Sequence, residues 1–209
     1  MNQIQNSLNY YQSKMKCIQQ LDGLPPLLFR IYLAPIMIQA GWSKYSNFDD
    51  IVNWFGNTEW GLGLPLPMVM AFLATAAELI GGILLLLGLL TRLVSIPLII
   101  TMLVAIFSVH WPNGWLAIAD SSSWLANGTI LLNQNIMDSA EKLTAANQIL
   151  QQHGHFDWLT SSGKFVILNN GIEFAATYLI ILISLLFTGG GRFTSLDFWL
   201  YNKVGKPSH

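Results

Sequence analysis

Six side chains with acid–base, cationic or aromatic character lie in or at the edges of strongly apolar segments of this chain. They are Arg30, Lys44, Glu78, His110, Trp111 and Glu173. An ionisable group within a membrane helix costs about 3 kcal/mol or more, so it persists where it faces other helices, is paired or is used. We predict Glu78, His110 and Glu173 as catalytic proton donors and acceptors. We predict Arg30, Lys44 and Trp111 as ligand-binding residues. The cationic side chains of Arg30 or Lys44 can stabilise a developing oxyanion.

Four apolar segments would position these side chains. They run over residues 24–45, 67–90, 93–111 and 165–188, and each is near the ~20 residues that cross a ~30 Å hydrocarbon core. The chain is 53% hydrophobic and only 10% charged, whereas soluble domains carry about 25% charged residues. The sequence therefore predicts an all-α integral membrane protein, a bundle of four transmembrane helices in the lipid bilayer.

Composition excludes several classes of function. The net charge of −1 offers no basic surface for nucleic acid. With Cys17 as its single cysteine, the chain has no internal disulfide, no CxxC pair and no cysteine-ligated iron–sulfur cluster. Four histidines leave little for a metal site, and we predict none. No second transmembrane histidine is available for haem, and no dinucleotide fingerprint is present.

The distribution of lysine and arginine predicts the orientation. Most of them lie before the first segment, between the second and third, or after the fourth: Lys14, Lys16, Arg92, Arg192, Lys203 and Lys206. The positive-inside rule then puts both termini in the cytoplasm. We expect residues 1–23 as a cytoplasmic segment, 24–197 as the membrane domain with an outer insertion at 112–164, and 198–209 as a cytoplasmic tail. Near-helical apolar spacing in residues 1–23 fits an amphipathic helix, and a frayed tail remains an alternative.

The outer insertion is long enough to contain structure of its own. Asp138 followed by Glu141 resembles a capping box, and apolar residues repeat at helical spacing until Gly154, so we predict an amphipathic helix over Ser139–Gln152. His153 and His155 resemble a metal-binding fragment, but we interpret them as an ordinary loop. Asn127–Thr129 matches a glycan acceptor, and nothing in the sequence supports its use.

Helical spacing indicates which polar residues face the bundle. Arg30 and Glu78 both lie on stripes of small residues that permit close helix approach. They can form a buried pair that locks helix register, or belong to a ligand or proton site. His110 is either a cap at the membrane boundary or a site residue, and Lys44 is favoured as an anchoring residue whose charge reaches the interface. Glu173 shares a polar stripe with Asn170 on the fourth segment.

These residues resemble the DoxX family. The resemblance rests on Arg30, on Gly41-Trp-Ser-Lys44, on the run from Glu78 through Gly-Gly to Thr91-Arg92, on His110, and on the closing segment Gly189–Asp197. It covers residues 24–115 and 171–197, and the long insertion departs from the family pattern. The resemblance implies a four-helix protein of the bacterial inner membrane, with relatives that include a subunit of thiosulfate:quinone oxidoreductase and others linked to redox homeostasis.

The sequence leaves two main hypotheses for function. One is a quinone-linked redox subunit, with quinone as cofactor and a redox partner protein at the extracytoplasmic face, because the chain has no electron carrier of its own. The other is a non-catalytic scaffold that docks a partner through its outer loops. A small transporter has little support, since there is no inverted repeat or pair of broken helices. Small-residue stripes are compatible with a homo-oligomer.

Overall fold

A computed structural model describes residues 2–204 as an all-helical chain. Its helices are α1 (Asn2–Gln19), α2 (Leu24–Ser46), α3 (Phe48–Gly56), α4 (Pro67–Leu87), α5 (Thr91–Val104), α6 (Gln134–Met137), α7 (Ser139–His153), α8 (Phe156–Leu159), α9 (Glu173–Thr188) and α10 (Leu196–Val204). A π-helical segment, Ala105–His110, and a 3₁₀ turn, Trp111–Asn113, extend α5. No strand occurs within residues 2–204, although two isolated bridges pair Ile118 with Leu168 and Asn127 with Leu132.

Within residues 2–204, three helical stretches are long and apolar enough to cross a membrane. They are Leu24–Ser46, Pro67–Leu87 and Thr91–Asn113, which correspond to the first three predicted segments. Large apolar side chains on them are exposed, among them Phe72, Ile80 and Ile100, as expected for surfaces that face lipid. The protein is therefore a membrane protein with at least these three candidate spans.

The fourth predicted segment is wrong in its bounds, because the helix covers Glu173–Thr188 rather than residues 165–188. This apolar helix has 16 residues. Before it, the backbone N–H groups of Asn169, Asn170 and Gly171 bond to the carbonyls of Ala117 and Leu116. Asn170 has a φ of 57°, a left-handed conformation that asparagine tolerates better than most residues. Asn170 thus precedes the helix instead of sharing a stripe with Glu173.

The chain forms two compact units, and the first contains residues 2–101 and 178–204. Within it, α2 and α4 approach closely at two glycines. A Cβ atom on Gly41 would collide with the backbone of Leu79, and one on Gly82 would lie 2.8 Å from Ile38 Cγ1 and 2.9 Å from Ile38 N. Small residues allow this contact, as the sequence predicted. The two helices are thus held together over their backbones.

The end of α4 is closed by a glycine and by the C-terminal part of the chain. Gly88 has a φ of 65°, and Leu89 N donates to Leu84 O at 2.9 Å, the usual arrangement at a left-handed helix end. Asp197 accepts bonds from the N–H groups of Leu90 (2.7 Å) and Thr91 (2.9 Å). Its carboxylate therefore satisfies donors at the start of α5 that have no partner within the helix.

The second compact unit contains residues 102–177. The helix predicted over Ser139–Gln152 is confirmed as α7, Ser139–His153, and Gly154 follows its last residue. The predicted side-chain cap is wrong: Asp138 makes no capping bond, because its Oδ1 accepts from Gln134 Nε2 at 2.9 Å instead. In the first unit, α1 confirms a helix near the N-terminus, and its position on a membrane surface stays a prediction.

Candidate functional site

The central feature is an ion pair between two of the candidate spans. Lys44 Nζ, near the end of α2, donates to Glu78 Oε2 of α4 at 2.5 Å. The side chain of Glu78 is 6% exposed and that of Lys44 is 23% exposed. A carboxylate is therefore buried between apolar helices while its cationic partner keeps partial access to the surroundings.

Close helix packing brings this pair together. Gly41 lies three residues before Lys44 and Gly82 lies four residues after Glu78, so each glycine shares a helix face with one member of the pair. The backbones approach at these glycines, which sets the two charged side chains opposite each other. Thr75, on the same face of α4, donates its hydroxyl to Ala71 O at 2.7 Å.

Arg30 does not pair with Glu78, contrary to one of the sequence hypotheses. Its side chain is almost fully buried, at 1% exposure of the residue. Nη1 donates to Leu85 O (3.3 Å) and Leu86 O (3.4 Å), and Nη2 donates to Thr194 O (2.7 Å). Carbonyls at a helix C-terminus lack partners within the helix and attract cations. Arg30 therefore caps α4 and fastens the C-terminal segment, which leaves Lys44 as the partner of Glu78.

Sequence reasoning favoured Lys44 as an anchor at the interface and missed the role of Asp197. Helical rise gave no signal for Lys44, because Lys44 lies at the outer end of its segment while Glu78 lies about 16 Å from the outer end of its own at 1.5 Å per residue. The signal for Asp197 was weak, since an aspartate far along the chain from Leu90 and Thr91 cannot be assigned to them by spacing.

In the second unit, His110 belongs to a polar cluster with three asparagines. Its Nδ1 lies 2.9 Å from the carbonyl oxygen of Asn170, which also accepts from Asn113 Nδ2 at 3.1 Å. Asn169 Nδ2 donates to Asn113 O at 2.8 Å. His110 thus bonds the chain just before α9, and only the polarity of the asparagines could be recognised from their pattern in the sequence.

Glu173 and Trp111 also lie in this second unit. Glu173 is half-buried, and its Oε2 accepts from Ala117 N at 2.9 Å. Trp111 is 58% exposed, and its ring centroid lies 5.4 Å from that of Phe107. Both side chains therefore have structural contacts, and their predicted roles in catalysis and quinone binding stay predictions.

The Lys44–Glu78 pair has the chemical capacity of a proton-transfer site. A lysine ammonium has three donors and a carboxylate has about four acceptor positions. One bond between the two groups is recorded within residues 2–204. Lys44 can therefore donate a further hydrogen bond to a polar group that enters beside it, while Glu78 holds its position and balances its charge.

These features define a small helical membrane protein with a buried ion pair between its first two candidate spans. Residues 26–111, which run from α2 to the 3₁₀ turn after α5, match the DoxX family model. The family resemblance inferred from the sequence is thereby confirmed for this part of the chain. The Arg30, Lys44, Glu78 and His110 positions all fall within the match.

A relative from Bacillus subtilis (strain 168) is named "Putative oxidoreductase CatD". It is 35% identical over 83 residues, which are 40% of this chain and 58% of the relative. The chain thus matches little more than half the length of that protein. No solved structure matches the chain.

Proposed function

We propose that this chain is a DoxX-like subunit of a quinone-linked redox or redox-homeostasis system, with the Lys44–Glu78 pair as its polar site. The single observation that supports this most is the ion pair itself, in which a glutamate 6% exposed is bonded to a lysine 23% exposed. Replacing a buried ion pair by apolar residues is often neutral or stabilising. Since glycines already hold α2 and α4 together, stability alone does not require these charges.

The residues fit a quinone headgroup. A quinone supplies two-electron chemistry that takes up two protons per molecule when it becomes a quinol. Lys44 would donate a hydrogen bond and a proton to a carbonyl oxygen at the partly exposed edge of the pair. Glu78 would keep the ammonium oriented, and by taking up a proton and passing it to Lys44 it would let the pair deliver the two protons one after the other. The apolar side chains of the spans would hold the lipid-soluble part of the ligand.

The electrons would come from a partner protein or from a reduced substrate. This expectation rests on the sequence, which contains no haem, iron–sulfur or nucleotide motif. The oxidoreductase name of the Bacillus subtilis relative supports a redox role in general. A docking partner on the extracytoplasmic face is part of this proposal.

The proposed topology has four spans in the bacterial inner membrane, with both termini in the cytoplasm. Its support comes from what each end of α9 contacts. At its C-terminal end, Phe187 O accepts from Arg92 Nη2 at 3.1 Å, in the turn that begins the third span. At its N-terminal end, Asn170 O accepts from Asn113, the last residue of that span. These two contacts, one within each compact unit, support the proposal that α9 is a fourth span.

The test is the quinone content of the purified protein, extracted from detergent and quantified by mass spectrometry. We expect near-stoichiometric quinone in the wild type and loss in Glu78→Gln and Lys44→Met. Glu141→Gln, at an exposed glutamate of α7, is the matched control and should retain quinone. Quinone at the level of background lipid in folded wild-type protein would refute the proposed site.

The second candidate is the non-catalytic scaffold. The connection between Asn113 and Glu173 exposes Trp124 (69%) and Trp158 (75%), and exposed aromatic residues are frequent at binding surfaces. If the protein retains no quinone, and deletion of α7 removes a co-purifying partner, the scaffold hypothesis replaces the redox proposal.

A further inference from the structure

A compact turn in the second unit has no role in the proposed redox function. Residues 124–132, here called the apolar turn, are folded by their own backbone. Ile130 N donates to Trp124 O (3.1 Å), and Gly128 N donates to Leu131 O (2.8 Å). Asn127 pairs with Leu132 in an isolated bridge, and Ala126 within the turn is fully buried. The turn is therefore an ordered element and can present side chains in a fixed arrangement.

This turn exposes an unusual amount of apolar surface for its length. Trp124 is 69% exposed, Ile130 63%, Leu131 51% and Leu132 68%. Residues 121–137 contain no charged side chain. Single exposed apolar residues are ordinary, but a contiguous group marks a site of contact with protein or membrane.

The nearest charged residue before the apolar turn is Asp120. The hydroxyl and the N–H of Ser122 both bond to its carboxylate, which holds the pKa of Asp120 below its usual value. Asp120 is therefore ionised at neutral pH. Asp120 is thus a charged residue that precedes the apolar turn in the chain.

Asn133, which follows the apolar turn, is hydrogen-bonded both to the turn and to the end of a candidate membrane span. Asn133 N donates to Ala126 O at 3.0 Å, and Asn133 Nδ2 donates to Asn113 O at 3.1 Å. Asn113 is the last residue of the Thr91–Asn113 span. All of these residues belong to the second unit, so the turn lies next to the end of that candidate span.

We propose that the apolar turn inserts into the bilayer leaflet that meets Asn113, with Ile130, Leu131 and Leu132 at the boundary between headgroups and acyl chains and Trp124 at the interface. Ile130 lies three positions before Asn133, a reach of about 10 Å in extended chain. Interfacial apolar elements are buried by about 5–10 Å, so the reach is sufficient. Tryptophan is favoured at this depth. The inference does not depend on quinone binding.

The experiment uses the full chain in liposomes of phosphatidylethanolamine and phosphatidylglycerol. Leu131→Cys in a Cys17→Ser background is labelled with an environment-sensitive fluorophore, and quenching by a shallow nitroxide lipid is measured. Phe107→Cys, at a residue of the span that is 63% exposed, is the membrane control. Gln151→Cys, exposed on α7, is the aqueous control. All three variants substitute exposed residues.

Insertion predicts a blue-shifted emission at Leu131 and quenching at least about twice that at Gln151, approaching that at Phe107. An emission and quenching equal to those at Gln151 would overturn the proposal and assign the apolar turn to a protein partner. Because Leu131→Cys leaves Lys44 and Glu78 unchanged, failure here leaves the quinone test unaffected.

Discussion

The Lys44–Glu78 pair is asymmetric, because the lysine is 23% exposed and the glutamate is 6% exposed. A charge left alone in the less exposed position is the more costly one. We expect Lys44→Met to lower the free energy of unfolding by about 3 kcal/mol, since it leaves the carboxylate unpaired. Glu78→Gln should lower it by only about 1–2 kcal/mol, because the ammonium can still reach polar surroundings.

The measurement is thermal unfolding in one detergent, arranged as a double-mutant cycle. The double variant Lys44→Met with Glu78→Gln should lose less than the sum of the two single variants, because no buried charge remains. If the single losses simply add in the double variant, the two side chains do not interact, and the ion pair is not the feature that distinguishes this site.

Arg30 has a separate role that also yields a prediction at the scale of one residue. Its two terminal nitrogens bond to carbonyls of Leu85, Leu86 and Thr194. Arg30→Lys preserves the charge, but a single ammonium cannot satisfy both groups of carbonyls. We expect a loss of about 2–3 kcal/mol in the free energy of unfolding.

Arg192→Lys is the control for that substitution. Arg192 forms an exposed ion pair with Asp22 at 3.4 Å, and such pairs contribute about 0–1 kcal/mol. Equal unfolding midpoints for the two arginine variants would contradict a capping role for Arg30.

At the scale of elements, two adjacent glycines of α4 test whether α2 and α4 are in backbone contact. A Cβ atom on Gly82 would lie 2.9 Å from Ile38 N, whereas one on Gly81 would lie 3.3 Å from the flexible end of Leu98. Both substitutions to alanine gain the same helix propensity. We therefore expect Gly82→Ala to be less stable than Gly81→Ala by about 1–3 kcal/mol, the usual cost of overpacking. Equal thermal midpoints would show that α2 and α4 separate without cost.

Glu173, at the start of α9, is hydrogen-bonded to the preceding loop, because its side chain accepts from Ala117 N. Glu173→Ala should lower the free energy of unfolding by about 1–2 kcal/mol, because it leaves a half-buried N–H without its acceptor. Glu173→Gln keeps an acceptor oxygen and should lose less. If Glu173→Gln unfolds normally but abolishes a quinone-dependent activity, the catalytic role predicted from the sequence is supported over a purely structural one.

The elements that could be predicted from sequence are those specified by local pattern. The first three apolar segments and α7 are periodic over many residues, so their existence followed from composition and helical spacing. The start of α9 could not be predicted in this way. Residues 165–168 are apolar, and only the Asn169-Asn170-Gly171 turn separates them from the helix. Apolar content alone does not distinguish a short extended segment from a helix.

Side-chain partners were harder to predict because they depend on contacts between distant parts of the chain. Small-residue stripes correctly indicated that α2 and α4 approach each other, but not whether Arg30 or Lys44 would meet Glu78. The decisive interaction is the one between Arg30 and Thr194 O, from a segment 164 residues away. No periodicity in α2 contains that information.

The topology of the whole molecule depends on whether α9 crosses the bilayer. Its 16 residues extend about 24 Å at 1.5 Å per residue, which is short of a ~30 Å core. A short span is accommodated by local thinning of the bilayer at a cost of fractions of a kcal/mol per Å. The bond from Arg92 to Phe187 O in the first unit and the bond from Asn113 to Asn170 O in the second both support a crossing helix, and we expect α9 to cross.

Four spans put both ends of the chain on one side of the membrane, and three put them on opposite sides. We expect a membrane-impermeant maleimide to label the native Cys17, and Lys203→Cys in a Cys17→Ser background, only after spheroplasts are opened. Gln151→Cys in the same background should be labelled in intact spheroplasts, because α7 lies between the third and fourth spans. Labelling of Lys203→Cys in intact spheroplasts, with Cys17 still protected, would establish three spans and make α9 a surface helix.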